Sequence, residues 1–292
     1  MLTLTGTRGK TRAAADWRWA LGALLVVVML SFSVVVALHL ARPPSKRYSN
    51  MPPPPYGYFQ LQPVGSYAGS PSDAKAAAEV HRSTWEPRAD NTRYNHAIPG
   101  HLRLQRETVA AHAYDPQWNK FILDRITGNF SGTTDEIFQW TAAKWGLPDN
   151  LLRTIAYMES GWRQSNLGDY VGDRAECPPG YTRLPCPVTF GIVGTKSTSS
   201  PGIFPWNRDS TAASVDVLGG WLRGCYNGWV WWLRDHGNRS RGAYHAGDLW
   251  GCAGAWYSGD WHDGPVSGQG GENYILRAEN WFKLRPWLRP RF

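Results

Sequence analysis

The hydrophobic pattern divides the chain before any chemistry is considered. From Trp19 to Leu40 the run WALGALLVVVMLSFSVVVALHL contains no Asp, Glu, Lys or Arg. At 1.5 Å per residue it is long enough to cross a bilayer, so residues 19–41 are predicted to form a transmembrane helix. The exit, ALHLARPP, lacks a small-x-small cleavage site, and the segment reads as an uncleaved signal anchor with residues 1–18 cytoplasmic. Residues 42–71 carry Pro43, Pro44, Pro52 to Pro55, Pro63 and Pro71 among Ser, Gly and Tyr. That composition is expected to be a linker without a packed core, reaching roughly 90 Å as polyproline II. Residues 72–120 are predicted to be a partly helical linker region: Ser72 caps DAKAAAEVHRSTW up to Pro87, and a shorter helical piece falls around 102–112.

Helical periodicity is strongest from residue 121 onward. Thr133 or Thr134 caps a helix with Ile137, Trp140 and Ala143 on one face. A Gly-Leu-Pro turn follows, and then LLRTIAYMESGWRQ (residues 151–164), a second helix expected to end near Gly161 and to pack against the first. Residues 171–188 and 189–196 read as a Cys-bearing loop and a small-residue segment. Further helices are expected over 211–226, over 229–236 and from Glu272. The predicted class is mainly α.

Composition changes the picture in three ways. There are 17 Trp residues, 13 of them from Trp140 onward, and indole faces stack on sugar rings as readily as they fill cores. The formal charge is +8; Arg8, Lys10, Arg12, Arg18 and Asp16 precede the anchor, leaving 27 basic and 22 acidic residues, or +5. That excess suits an anionic envelope surface, and no basic block interleaved with aromatics points to nucleic acid. The four cysteines, Cys177, Cys186, Cys225 and Cys252, have no zinc spacing. Beyond a membrane segment an even, clustered set reads as disulfides in an oxidising compartment, which places the C-terminal part outside the cell. Of three connectivities, nearest-neighbour pairing is expected: Cys177 with Cys186 and Cys225 with Cys252. His81, His96, His101 and His112 lack the spacing of a metal site on one element, and no metal is expected there.

The candidate chemistry sits in residues 151–164. At about 100° per residue, Leu152, Ile155 and Glu159 share one stripe, so Glu159 occupies a position where periodicity calls for an apolar residue. A carboxyl in the last turn meets the negative end of the helix dipole, and its apolar flank withholds water. Both effects raise its pKa, as general acid catalysis requires. Trp162, three residues after the acid, is expected to line a groove.

The order of parts resembles the lysozyme-like lytic transglycosylases of bacterial envelopes, the SLT type, and especially an actinobacterial membrane-anchored branch. The phrases that carry it are TGNFSGTTDEI at 127–137, KWG at 144–146, RDSTA at 208–212 and WGCAGAWYSG at 250–259. The resemblance covers about residues 126–292 and implies a lysozyme-like helical domain over 121–292. It implies a single catalytic acid at Glu159, with Ser160 near the substrate's N-acetyl groups. The Gly-Leu-Met-Gln segment falls on Gly191, Ile192, Val193 and Gly194, where Gly194 replaces the Gln. The Tyr-containing turn falls on Trp256 to Gly259, with Tyr257 as hydrogen-bond partner of the acid; Tyr244 to Gly247 is the competing placement. Tyr274 lies in the closing helix.

The implied reaction cleaves the bond between N-acetylmuramic acid and N-acetylglucosamine in peptidoglycan and forms a 1,6-anhydro ring, with one carboxyl and no cofactor. The partners are then glycan strands and the membrane, and the localisation is the cell membrane, single-pass, with the catalytic domain extracytoplasmic. Two alternatives stay open. A hydrolysing lysozyme would use Asp169 or Asp173 as second carboxylate, and a non-catalytic envelope protein would bind glycan without cutting it.

Overall fold

The computed structural model describes residues 49–66, 71–105, 113–266, 268–290 and 292, which belong to a compact unit spanning Tyr48–Phe292. The expected membrane segment 19–41 and its flank 1–18 lie outside the described residues. Among the described residues no helix is long and apolar enough to cross a membrane. In chain order the elements are α1 (Asp73–Glu79), the short α2 (Thr92–Asn95) and α3 (Gln117–Phe121), α4 (Thr134–Trp145) and α5 (Asp149–Ser160). A three-stranded antiparallel sheet follows, β1 (Leu167–Val171), β2 (Cys186–Phe190) and β3 (Thr195–Lys196). Four helices close the chain: the short α6 (Trp206–Asp209), then α7 (Thr211–Tyr226), α8 (Leu249–Ser258) and α9 (Gly271–Leu284). The molecule is mainly α, as the periodicity predicts.

Helix α7 is the axis of the core. Ser210 caps it by accepting from the Ala213 amide, and every residue except Trp221 is buried. It packs on α4, α5, α6 and α8. The crossing with α4 is close because Gly219 has no side chain: a Cβ there would lie 2.5 Å from Thr141 Cγ2 and from Trp145 Cδ1. Asp216, on the same helix and fully buried, accepts from the amides of Thr127 and Gly128 at 2.8 and 3.0 Å. It also accepts from Lys144 Nζ at 2.7 Å and Trp145 Nε1 at 2.6 Å.

The α4–α5 pair has the predicted signals. Thr133 and Glu136 form a capping box, Gly146 ends α4 in the left-handed region, and Gly161 ends α5 the same way. The burial of α5 exceeds its predicted stripe, however, because Asp149, Asn150, Arg153 and Thr154 are buried together with Leu151, Leu152, Ile155 and Ala156. The Pro-rich segment, expected as a spacer, covers the other side. Tyr58 and Phe59 donate their amides to the Asp149 carboxylate at 2.9 and 3.1 Å, and Asn150 Nδ2 donates to Pro55 O at 3.0 Å. Arg153 balances the buried charge, bonding Asp149 at 2.6 Å and Asp135 at 2.9 Å. Backbone amides free of helix or sheet found a carboxylate, so the described residues 49–66 and 71–105 belong to the compact unit and do not act as linkers.

Other expectations need correction. The helix from Ser72 stops at Glu79, because the next amides bond to α4 side chains: His81 N to Gln139 Oε1 and Ser83 N to Glu136 Oε1, both at 2.8 Å. Of the piece around 102–112, residues 102–105 are irregular and 106–112 lie outside the described residues. Residues 229–236 hold only a 3₁₀ turn, Trp231–Arg234. The stretches read as loops form the sheet, with Gly168 opposite Thr189 and Thr189 opposite Lys196. The expected disulfides are both present, Cys177–Cys186 and Cys225–Cys252, with Cα separations of 5.8 and 5.9 Å. The second joins α7 to α8, and α8 in turn packs on α9, which also lies along α5.

Candidate active site

Glu159 stands in the last turn of α5 and lines a groove of about 550 Å³. Its lining includes the aromatic side chains of Tyr114, Trp221, Trp232, Trp256 and Tyr257 and the polar ones of Asn166, Asp169, Thr189 and Lys196. Burial raises the Glu159 pKa from its ordinary 4.5 to about 7, and the charge of Asp169 pushes the same way. A hydrogen bond from Tyr274 and the charge of Arg277 oppose the rise. The carboxyl is therefore about half protonated near neutral pH.

The partner of the acid is Tyr274. Its hydroxyl donates to Glu159 Oε1 at 2.7 Å from the buried face of α9. Tyr257, expected in that role, is 46% exposed at the end of α8 and stacks on Tyr274, ring centroids 4.6 Å apart and nearly parallel. One tyrosine thus bonds the acid while the other stacks on that tyrosine and lines the groove. The competing Tyr244 is buried far along the chain's other contacts, its hydroxyl donating to Cys225 O at 2.7 Å.

The turn from Gly191 to Gly194 faces the acid from across the groove floor. It is held from several sides: Gly191 N donates to Asn166 O at 3.0 Å and Ile192 N to Gln164 Oε1 at 3.0 Å. Ser160 Oγ donates to Ile192 O at 2.7 Å and Trp256 Nε1 to Val193 O at 3.2 Å. Ser160 is thereby a clamp on this turn, and Gly191 and Ile192 are buried parts of it. Gly194 has φ +64°, and a Cβ on it would lie 2.7 Å from Glu159 Oε2. A glutamine at this position would collide with the carboxyl as it stands, so glycine here is what lets the backbone approach the acid. Trp162, expected in the groove, is fully buried. With φ +66° it folds back under α5, and its Nε1 donates to Arg153 O at 2.9 Å.

Of the two candidate second carboxylates, Asp169 shares the groove and Asp173 does not. Asp169 has φ +46° within β1, and its carboxylate accepts from Thr189 Oγ1 at 2.6 Å. Asp173 is exposed and caps the turn after it through the Ala175 amide at 2.9 Å. Sequence reasoning did not select Asn166, Thr189, Lys196, Trp221 or Trp232; the tryptophan count was the only signal pointing toward the last two.

The electrostatics give a direct expectation. Tyr274 donates to the ionised carboxylate and favours it, so Tyr274→Phe should raise the Glu159 pKa further. A ¹³C-carboxyl NMR titration should find a midpoint near 7 in the wild type and a higher one in the variant. A wild-type midpoint near 4.5 would overturn this account of the site. Comparison with protein-family models, with curated proteins and with solved structures finds no match to this chain.

Proposed function

We propose that this protein is a lytic transglycosylase of peptidoglycan with Glu159 as its general acid and base. The observation that carries the proposal is a buried carboxyl, its pKa raised by burial to about 7, in a groove lined by aromatic and polar side chains. Protonated Glu159 gives its proton to the glycosidic oxygen between N-acetylmuramic acid and N-acetylglucosamine. As the bond to the anomeric carbon breaks, an oxocarbenium-like centre develops at C1. Glu159, now a carboxylate, accepts the proton of the muramyl C6 hydroxyl, whose oxygen bonds to C1 and closes the 1,6-anhydro ring. Tyr274 steadies the carboxylate stage by donating to Oε1. A pKa near 7 serves both half-steps, since the group must lose and regain the proton in one turnover.

The helical body, with a small antiparallel sheet flanking the groove, supports a lysozyme-like fold. The two disulfides and the apolar run 19–41 support a membrane-anchored protein whose residues beyond 42 are extracytoplasmic. A second reading has its own observation. Asp169 lines the same groove and acts electrostatically on Glu159, so it is the candidate to activate a water in a hydrolysing lysozyme.

Mass analysis of the products released from purified peptidoglycan decides between these readings. The transglycosylase should leave ends of 1,6-anhydromuramic acid, one water lighter than the reducing ends a lysozyme leaves. Binding without any released product would leave a glycan-binding protein.

A further inference from the structure

We propose that Lys196 reads a carboxylate carried on the muramyl residue, and so selects acidic glycan at the position next to Glu159. The inference rests on the groove being a glycan site and names the charge of the sugar it prefers. Strand β3 has two residues. Thr195 is fully buried, and strand alternation turns Lys196 outward, where it is exposed and lines the groove. Lys196 stands opposite Thr189, and Thr189 Oγ1 donates to the carboxylate of Asp169, the residue after Gly168 on β1. Asp169 is thus engaged by a hydroxyl. Lys196 makes no ion pair within the described residues, and it is the one cation among the described groove residues.

Lys196 lies close to the acid along the chain. A Cβ on Gly194 would lie 2.7 Å from Glu159 Oε2, so this backbone runs beside the carboxyl, and two residues of extended chain carry Lys196 at most about 7 Å further. A lysine side chain reaches roughly 6 Å, about the length of one pyranose ring, and Lys196 and Glu159 line the same groove, so a sugar bound beside the acid falls within the range of the ammonium. N-acetylglucosamine offers only neutral groups there. A muramyl residue carries a carboxylate on its 3-O substituent: the lactyl acid itself, or a carboxyl of the stem peptide when that acid is amidated. Aromatic side chains bind either sugar by stacking; the ammonium favours the charged one.

The test is calorimetric binding by the full chain in detergent, using four glycans of equal length: peptide-free muramyl strands, the same strands after reduction of the carboxyl to an alcohol, peptide-bearing strands, and N-acetylglucosamine oligomers. Lys196→Gln should weaken binding of a carboxylated strand about tenfold, as for a charge-assisted contact, and Lys196→Glu should weaken it more. The oligomers and the reduced strands should bind alike to all three proteins, and only the carboxylated strands should lose affinity with added salt. Loss with the peptide-free strands assigns the lactyl acid; loss only with peptide-bearing strands assigns the stem carboxyl. Equal losses on charged and neutral glycans, no loss at all, or no glycan binding by the wild type would overturn the proposal. Charge-selective binding without cleavage would sink the transglycosylase reading and leave this inference standing, whereas cleavage indifferent to Lys196 would do the reverse.

Discussion

Glu159→Gln is expected to lower the turnover of peptidoglycan strands by about 10² to 10⁴, the usual worth of a general acid, while glycan binding persists. Glutamine keeps the length and planar shape of the side chain, and its amide oxygen can still accept from Tyr274, so the groove should not rearrange. The fold should not suffer either. The Glu159 pKa is raised by burial from 4.5 to about 7, so the folded state binds this proton more tightly than the unfolded chain. Stability linked to Glu159 is therefore present below 4.5 and lost as pH rises through about 7, and the neutral amide escapes that loss. Thermal unfolding at pH 8 should find the variant at least as stable as the wild type. Undiminished product release by Glu159→Gln would sink both the transglycosylase and the lysozyme readings at this site.

The largest structural effect is expected from Asp216→Ala. Four donors converge on this buried carboxylate, two backbone amides from the turn at Thr127 and Gly128 and two side chains from the end of α4. Removing the acceptor leaves all four without that partner inside the core. Lys144 retains Asp73 at 2.8 Å, but the Gly128 amide and the Trp145 indole are buried and lose this acceptor. Breaking a buried pair of this kind costs about 3–5 kcal/mol, or roughly 6–20 °C in Tm for a domain of this size. Equilibrium urea unfolding with the disulfides intact measures it. A loss below about 1 kcal/mol would show that the cluster does not hold the helices together.

Asp216 also accounts for several of the phrases singled out in the sequence. Thr127 and Gly128 of TGN, and Lys144 and Trp145 of KWG, all bond this one carboxylate. Thr133 and Glu136 of TTDEI form the α4 capping box, and Ser210 of RDSTA caps α7. Cys252 and Trp256 of the last phrase are a disulfide partner and a hydrogen bond to Val193 O. Motifs that identify the resemblance therefore mark the scaffold, and the groove's chemistry lies largely between them. This is why Lys196, Thr189 and Asn166 escaped notice: each is an ordinary polar residue in a short segment with no periodic signal.

The sequence by itself determined the features whose causes lie within about four residues. The capping box at Thr133, the close of α5 at Gly161 and the misplaced carboxylate at Glu159 are local patterns of hydrogen bonding and helical repeat, and they stand where predicted. The paired cysteines were legible from clustering alone. What only the tertiary structure decided depends on contacts between distant parts. Tyr274 and Tyr257 are indistinguishable as residues; the packing of α9 along α5 and α8 puts one on the acid, 115 residues away, and the other against the first tyrosine's ring. Trp162 was expected in the groove because it follows the acid, yet its positive φ turns it into the core. The Pro-rich segment has no core of its own, but its backbone amides are donors wherever they lie, and a buried carboxylate at Asp149 gave them a partner. Propensity and periodicity describe what a segment can bury by itself, whereas these outcomes were set by what a remote segment offered to satisfy.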